Sequence, residues 1–247
     1  MFKPCVLIPV YNHEHAVRAV VRAVLAQNLS CVLVDDGSSS GCARTLEALV
    51  AGAPSQITLI RHSVNRGKGS AVLTGIRYAA QAGYTHVLQI DADGQHRVSD
   101  IPHFLRQAAA HPQALIVGCP DYNETVPSLR FYLRYLTHVW VWINTLSRHI
   151  KDSMCGFRVY PLSPILALDS RRKLGARMNF DIEVLVRLYW DGVEIINVPT
   201  AVSYPSDGVS HFRGVLDNFL ISRTHSTLFF GMLMRLPMLI VRNWKGR

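Results

Sequence analysis

The sequence predicts an α/β protein built on a mostly parallel sheet, with helices on its faces and an amphipathic helical extension at the C-terminal end. Three observations carry this. Short apolar runs alternate with helix-period runs through the first half of the chain. Two of those apolar runs end in paired aspartates, Asp35-Asp36 and Asp91-Ala92-Asp93. A loop with four basic or glycine residues in a row, Arg66-Gly67-Lys68-Gly69, precedes a helical run between them.

In order, strands are expected at residues 6–10, 31–34, 57–60, 86–90 and 115–117, where β-branched and leucine residues cluster. Helices are expected at 14–27, 44–51, 69–82 and 101–110. In the first of these Ala16, Val17, Val20, Val24 and Leu25 fall on one face. The second half is less regular. It reads as a long aromatic-rich helix over 129–149, a strand at 156–160, a helix at 179–190 closed by Asp191-Gly192, and a strand at 193–198. A polar loop with Pro205 and Gly208 follows, and the chain is helical again from Gly214. The expected division is a catalytic domain over 1–212 and a helical extension over 213–247.

Composition bounds the function. Apolar residues make up 49% of the 247, enough for a sizeable core, and the formal net charge is +9. That charge favours anionic partners such as nucleotide phosphates or an anionic membrane surface. No basic–aromatic platform for nucleic acid is present, so nucleic acid is not an expected partner. The five cysteines, Cys5, Cys31, Cys42, Cys119 and Cys155, are scattered and odd in number, as for reduced thiols in the cytosol. The first residues read as a strand stopped at Pro9 rather than as a leader. No run reaches the roughly 18 uninterrupted apolar residues of a membrane span.

In an open α/β sheet, ligands bind beyond the carboxyl ends of the strands. Three strand ends are chemically pointed: Pro9-Val10-Tyr11-Asn12, Asp35-Asp36-Gly37-Ser38 and Asp91-Ala92-Asp93-Gly94-Gln95. In extended chain Asp91 and Asp93 share a face, and hard oxygen ligands suit Mg²⁺ or Mn²⁺. The bland reading is a solvated turn that caps the next helix. Asp36 fits either a hydrogen bond to a base or ribose, or an Asx turn onto Gly37. The loop Asn65-Arg66-Gly67-Lys68-Gly69-Ser70-Ala71 opens a helix, where backbone N–H groups favour anions. It has neither the spacing of a P-loop nor the third glycine of a dinucleotide fingerprint, since Val72 stands there.

Taken in order, these motifs resemble family 2 glycosyltransferases of the GT-A, Rossmann-like fold, with the dolichyl- or polyprenyl-phosphate sugar transferases as the nearest group. The likeness continues through Asp152-Ser153-Met154-Cys155-Gly156-Phe157-Arg158, Phe180-Asp181-Ile182-Glu183 and Val198-Pro199, and spans about residues 4–212. The resemblance implies an inverting transfer from a UDP- or GDP-sugar to a lipid, a lipid phosphate or another envelope-glycan acceptor. It implies that Pro9, Tyr11, Asn12, Asp36, Lys68, Asp91 and Ala92 hold the donor, and that Asp93 and Gln95, with Asp91, ligate Mg²⁺ or Mn²⁺. Asp152 faces the sugar and is the first choice for a catalytic base, with Asp181 the second. If the acceptor is a phosphate, no base is needed.

The chain departs from that group at His13, at Gly118-Cys119-Pro120-Asp121-Tyr122, and at His211 in the late loop, where the group carries Glu and basic residues. His211 would touch diphosphate or metal, or stand exposed. Competing classes are a nucleotidyltransferase, which would need a glycine-rich loop where Tyr11-Asn12-His13-Glu14 stands, and an inactive nucleotide-sugar binding module. Leu216, Phe219, Leu220, Leu228, Phe229, Met232, Leu233, Leu236 and Ile240 recur at helical spacing among Arg223, His225, Arg235, Arg242, Lys245 and Arg247. Arg130 and Arg134 lie four apart on the aromatic helix. The expected setting is the cytoplasm, with peripheral attachment to the inner face of the membrane or, alternatively, a helix packed on the domain.

Overall fold

The computed structural model describes residues 1–121, 128–203 and 213–245, with the side chains of 121, 128–133 and 245 outside that description. The late loop with His211, and the side chain of Arg130, therefore lie outside the described residues.

Seven strands form one sheet: β1 (Pro4–Val10), β2 (Cys31–Asp35), β3 (Ile57–Arg61), β4 (His86–Gln89), β5 (Leu115–Asp121), β6 (Arg158–Pro161) and β7 (Ile195–Ala201), in the order β3-β2-β1-β4-β6-β5-β7. All pairings are parallel except those of β6, which runs against both β4 and β5. Alternation along the strands explains why both faces need cover. In β1, Val6, Ile8 and Val10 enter one core and Cys5 and Leu7 the other.

The first core is closed by α1 (Ala16–Leu25), α2 (Ser40–Gly52) and α4 (Ile101–Ala110). In α1 the buried residues are Val17, Val20, Val21 and Val24, the apolar stripe that the sequence marks. The second core is closed by α3 (Lys68–Gln81), α5 (Ser128–Thr145), α6 (Leu162–Arg171), α7 (Phe180–Trp190), α8 (Gly214–Leu233) and α9 (Leu236–Lys245). Of the five thiols, four are buried and Cys119 is partly so, and none is in a disulfide.

Several boundaries differ from the sequence expectation. β7 begins two residues later and runs to Ala201, and the aromatic helix stops at Thr145. Helix α6 was not expected at all; Pro161 and Pro164 mask its start, although proline is tolerated in a first turn. Its Leu162, Ile165 and Leu168 are buried.

The C-terminal part both packs and exposes apolar surface. Asn243 of α9 donates to the carbonyls of Thr145 and Leu146 at the end of α5, at 3.1 and 3.0 Å. Tyr189 of α7 donates to Asn243 Oδ1 at 2.7 Å. These bonds satisfy orphan carbonyls of α5 and clamp α9 onto the domain. No single helix among the described residues is long and apolar enough to cross a membrane; α8 and α9 together reach that length but are bent by 79°.

Candidate active site

The strand order reverses between β1 and β4, and the pointed strand ends meet along that rim. After β1, Asn12 takes a left-handed conformation with φ of 53°. Its N–H donates to Ser38 Oγ at 3.1 Å, and its Oδ1 accepts from Ser39 N–H at 2.7 Å. Asn12 thus staples the turn after β1 to the start of α2. Tyr11 beside it is half-buried. Pro9 lies in β1 opposite Val34.

Asp35 is fully buried and anchors its own turn, accepting from Ser38 N–H at 2.9 Å and Arg61 Nε at 2.8 Å. Asp36 does more. Its Oδ1 accepts from Arg66 N–H at 2.9 Å and its Oδ2 from Gly67 N–H at 2.7 Å, while His62 Nδ1 lies 2.7 Å from Oδ1. The Asp36 carboxylate therefore holds the 65–68 loop by its backbone.

The next residue of that loop carries the central charge. Lys68 Nζ sits 2.9 Å from the Asp91 carboxylate and 3.0 Å from Asp181 Oδ2. Asp36 and Asp91 are thus linked through two consecutive residues, Gly67 and Lys68. Two glycines permit this. Gly67 has φ of +98°, and a Cβ there would meet Ala176 O at 2.5 Å. Gly156 packs so closely on Asp91 that a Cβ there would collide with the carboxylate.

The electrostatics follow from burial and pairing. Burial opposes the charge of Lys68, but Asp181 and Asp91 outweigh it and hold its pKa above the ordinary lysine value. Burial likewise opposes ionisation of Asp91. Lys68 and then His96, whose Nε2 is 3.8 Å away, outweigh that penalty and keep Asp91 well below the usual carboxylate range. Asp93 differs. Burial, and then the charge of Asp91, raise its pKa, and the N–H of Gln95 on its Oδ1 at 3.0 Å offsets this only in part. Asp93 is an anion short of positive charge.

That shortage fits a divalent cation. Among the described residues no three His, Cys, Asp or Glu side chains converge on a metal position. Asp93, Asp91 and the Gln95 amide would supply one or two carboxylates and a neutral oxygen, leaving the rest of the shell to phosphate and water, as Mg²⁺ prefers. Ala92 between them is buried in the core at 2% exposure.

The reversed direction of β6 brings the 152–157 loop to the same rim, since Arg158 pairs with Gln89 at the end of β4. Asp152 is 1% exposed and heavily engaged. Arg134 forks onto it with two bonds of 2.8 Å, His138 Nε2 lies 3.5 Å away, and the N–H groups of Met154 and Cys155 donate at 2.8 and 2.7 Å. Burial opposes its ionisation, but Arg134 and His138 prevail and hold its pKa below the normal range. Asp181 faces Lys68 instead, with Arg158 Nη1 at 3.9 Å from its Oδ1.

Three site residues, Arg158, His62 and His96, carry no expected role from the motifs. Arg158 is fully buried and donates to the carbonyls of Ser153, Cys155 and Asp181, each at 2.8 Å. It binds the 152–157 loop to α7 and so fixes Asp152, Gly156 and Asp181 together. The signal was present: a lone arginine in an apolar strand needs buried acceptors. The histidines carry no such signal: His62 pairs with Asp36, 26 residues away, and His96, five residues after Asp91, reads as an ordinary turn residue.

Known proteins resemble this arrangement in sequence and in shape. Polyprenol monophosphomannose synthase of Mycolicibacterium smegmatis is 24% identical over 216 residues, covering 85% of this chain and 80% of that protein. Dolichyl-phosphate beta-glucosyltransferase of Dictyostelium discoideum is 27% identical over 229 residues, covering 79% of this chain and 63% of that protein. Glucosyl-3-phosphoglycerate synthase of Mycobacterium tuberculosis, crystallised with Mn²⁺ and UDP-glucose, superposes with a TM-score of 0.64 at 13% identity, over 94% of this chain and 79% of that one. The fold is thereby the GT-A type that the motifs imply. The family model described as glycosyl transferase family 2 matches residues 5–166, about two thirds of the length. The chain belongs to glycosyl transferase family 2.

Proposed function

We propose that the chain moves a sugar from a UDP- or GDP-sugar to a lipid phosphate, in one inverting displacement at a membrane surface. The observation that carries this is the state of the two carboxylates best placed to act as bases. Asp152 is held by Arg134, His138 and two backbone N–H groups, and Asp181 by Lys68. A hydroxyl acceptor needs a carboxylate to take its proton. A phosphate acceptor brings its own negative charge and needs none. Relatives whose names specify polyprenol and dolichyl-phosphate chemistry support the same reading.

On this reading the acceptor phosphate oxygen forms a bond to the anomeric carbon from the face opposite the diphosphate. The bond from that carbon to the diphosphate oxygen breaks, and the nucleoside diphosphate leaves with the electron pair. Lys68, fixed by Asp91 and Asp181, lies beside the departing diphosphate. The residues Asp93, Gln95 and Asp91 hold Mg²⁺ or Mn²⁺, which when bound supplies further positive charge to the leaving group. Tyr11, Asn12 and the backbone of the 65–68 loop hold the nucleoside, with Asp36 as the anchor of that loop.

Exposed apolar side chains give the membrane surface its place. Tyr135, Leu136 and Trp140 of α5 are exposed, as are Phe230 of α8, Met234 at the bend and Trp244 of α9. Met234 and Trp244 are 86% and 79% exposed. Arg223 and Arg235 lie among them in sequence. A bent, basic, apolar pair of helices suits the plane of an anionic bilayer and supports peripheral attachment there.

The test is a panel of UDP- and GDP-sugars with Mg²⁺ or Mn²⁺, offered to undecaprenyl phosphate and to undecaprenol. Transfer to the phosphate and not to the alcohol is expected. Equal transfer to the alcohol would sink the argument from occupied carboxylates.

A further inference from the structure

We propose a second phosphate-binding site on the flank of the domain, between α3 and the end of α6, apart from the donor rim. A cavity of about 460 Å³ lies there. Five basic residues, Arg66, Arg77, Arg171, Arg172 and Lys173, line it together with a single acidic one, Asp169.

That carboxylate is already spent on Arg77, which forks onto it at 2.8 and 2.9 Å. Arg171 turns away to Asp191 at 2.6 Å and to its own helix at Ala167 O, 2.8 Å, as a basic residue at a helix C-terminus commonly does. Arg66, Arg172 and Lys173 remain. Among the described residues none of the three lies within 4.0 Å of a carboxylate. They come from two separate segments, the 65–68 loop and the turn after α6, and they meet in a concavity rather than on a convex face. Helix-end neutralisation accounts for Arg171 but not for this convergence. A phosphate, with several acceptor oxygens and up to two negative charges, is the chemistry that arginine forks and a lysine recognise.

The site is separate from the donor rim except at Arg66, whose loop backbone belongs to that rim. None of Tyr11, Asp36, Lys68, Asp91 or Asp93 lines it. Arg77 lies nine residues beyond Lys68 in α3, about 13 Å along the helix. The two places nevertheless touch. Thr74 on the cavity wall is 3.0 Å from His62 Nε2, whose other nitrogen meets Asp36. The backbone of Arg66 is itself held by Asp36. A smaller cavity of about 190 Å³ shares Arg171 and Arg172 and reaches Arg235 at the α8–α9 bend. The two cavities adjoin at Arg171 and Arg172, and the phosphate comes from solution or from a lipid headgroup.

The experiment uses the full chain, without divalent metal, and the exposed pair Arg172→Glu/Lys173→Glu. Arg44→Glu/Arg106→Glu, on α2 and α4 across the sheet, makes the same change in net charge and serves as the control. Inorganic pyrophosphate is titrated by calorimetry, and phosphatidylcholine vesicles with or without phosphatidic acid are tested by flotation. Thermal denaturation checks that both variants fold. The flank variant should bind pyrophosphate, acidic vesicles or both at least about tenfold more weakly than the parent, while the control keeps parental binding. A loss confined to pyrophosphate identifies a soluble phosphate ligand, and one confined to vesicles a headgroup. Equal weakening in flank and control variants, or no weakening in either assay, overturns the proposal.

Discussion

The two halves of the rim are built by different means. On the β1–β4 side, charge is held mostly by neighbouring backbone and by one lysine: Asp36 by the N–H groups of Arg66 and Gly67, and Asp91 by Lys68. On the β6 side, charge is held mainly by cationic side chains from other elements: Asp152 by Arg134 of α5, with two backbone N–H groups, and Asp181 by Lys68 of α3. The first side leaves one carboxylate, Asp93, under-neutralised; the second brings cations to both of its carboxylates. A rim of this kind leaves one carboxylate open to added positive charge at one end and pairs its carboxylates with cations at the other. That contrast is what favours an acceptor that arrives ionised.

Breaking the link between the halves should have the largest effect. Lys68→Met leaves Asp91 and Asp181 without their shared cation. A loss of about 3–5 kcal/mol in stability is expected from removing one partner of a buried pair. Donor turnover should fall by at least about a hundredfold, as for loss of a charge that stabilises a leaving group. Denaturant unfolding and steady-state turnover check this.

Asp93→Asn tests the under-neutralised end. Turnover with Mg²⁺ or Mn²⁺ should drop by about a hundredfold or more, yet stability should not. The raised pKa of Asp93 means the folded protein binds its proton more tightly than the unfolded chain does. Its ionisation therefore costs stability as pH rises through that pKa, and the neutral amide removes this cost. At neutral pH and without metal the variant should melt at or above the parental temperature. Metal should raise the melting temperature of the parent in the presence of nucleotide and not that of the variant.

A smaller effect on rate is expected at Asp152. Its pKa is depressed, so its contribution to stability is present above the unfolded carboxylate pKa of about 4 and is lost as pH falls through the lower folded value. Asp152→Asn should cost stability at pH 7, and the gap from the parent should close as the medium is acidified below about pH 4. The shape of the pH–rate profile should be that of the parent. Disappearance of its acidic limb in the variant would restore Asp152 as a base.

The smallest effect on the fold is expected at the bend. Met234→Ser/Trp244→Ser changes two exposed side chains and should alter stability by no more than about 0.5 kcal/mol per site. Binding to anionic vesicles should nevertheless weaken. Unchanged flotation would remove the membrane surface from the reading.

The same contrast separates what the sequence discloses from what it hides. Tyr11-Asn12, Asp35-Asp36, the 65–71 loop and Asp91-Ala92-Asp93 sit at ends of strands whose β-and-α alternation is legible, so their meeting follows from topology. The structure brings them together as expected, although Asp36 appears as an anchor of the loop backbone. The β6 side was harder to read. Strand direction leaves no mark in a four-residue run, so the reversal of β6 was not legible. Helix α6 is short and begins between two prolines. Arg158 carries a charge in a strand whose hydrogen bonds go to carbonyls 3, 5 and 23 residues away, and spacing alone does not forecast such acceptors. The motifs mark Asp152 and Asp181 as candidate bases for a hydroxyl acceptor but not the cations that pair with them, Arg134 on the preceding helix and Lys68 on α3.

Gly156 has a consequence for how this enzyme fails. Because the Asp91 carboxylate fills the volume a methyl group would need, the gentlest enlargement of that residue, to alanine, displaces an ion pair that no charge substitution has touched. At this spot the vulnerable feature is vacancy. One added carbon should move Asp91 off Lys68 with every charge in the sequence left in place.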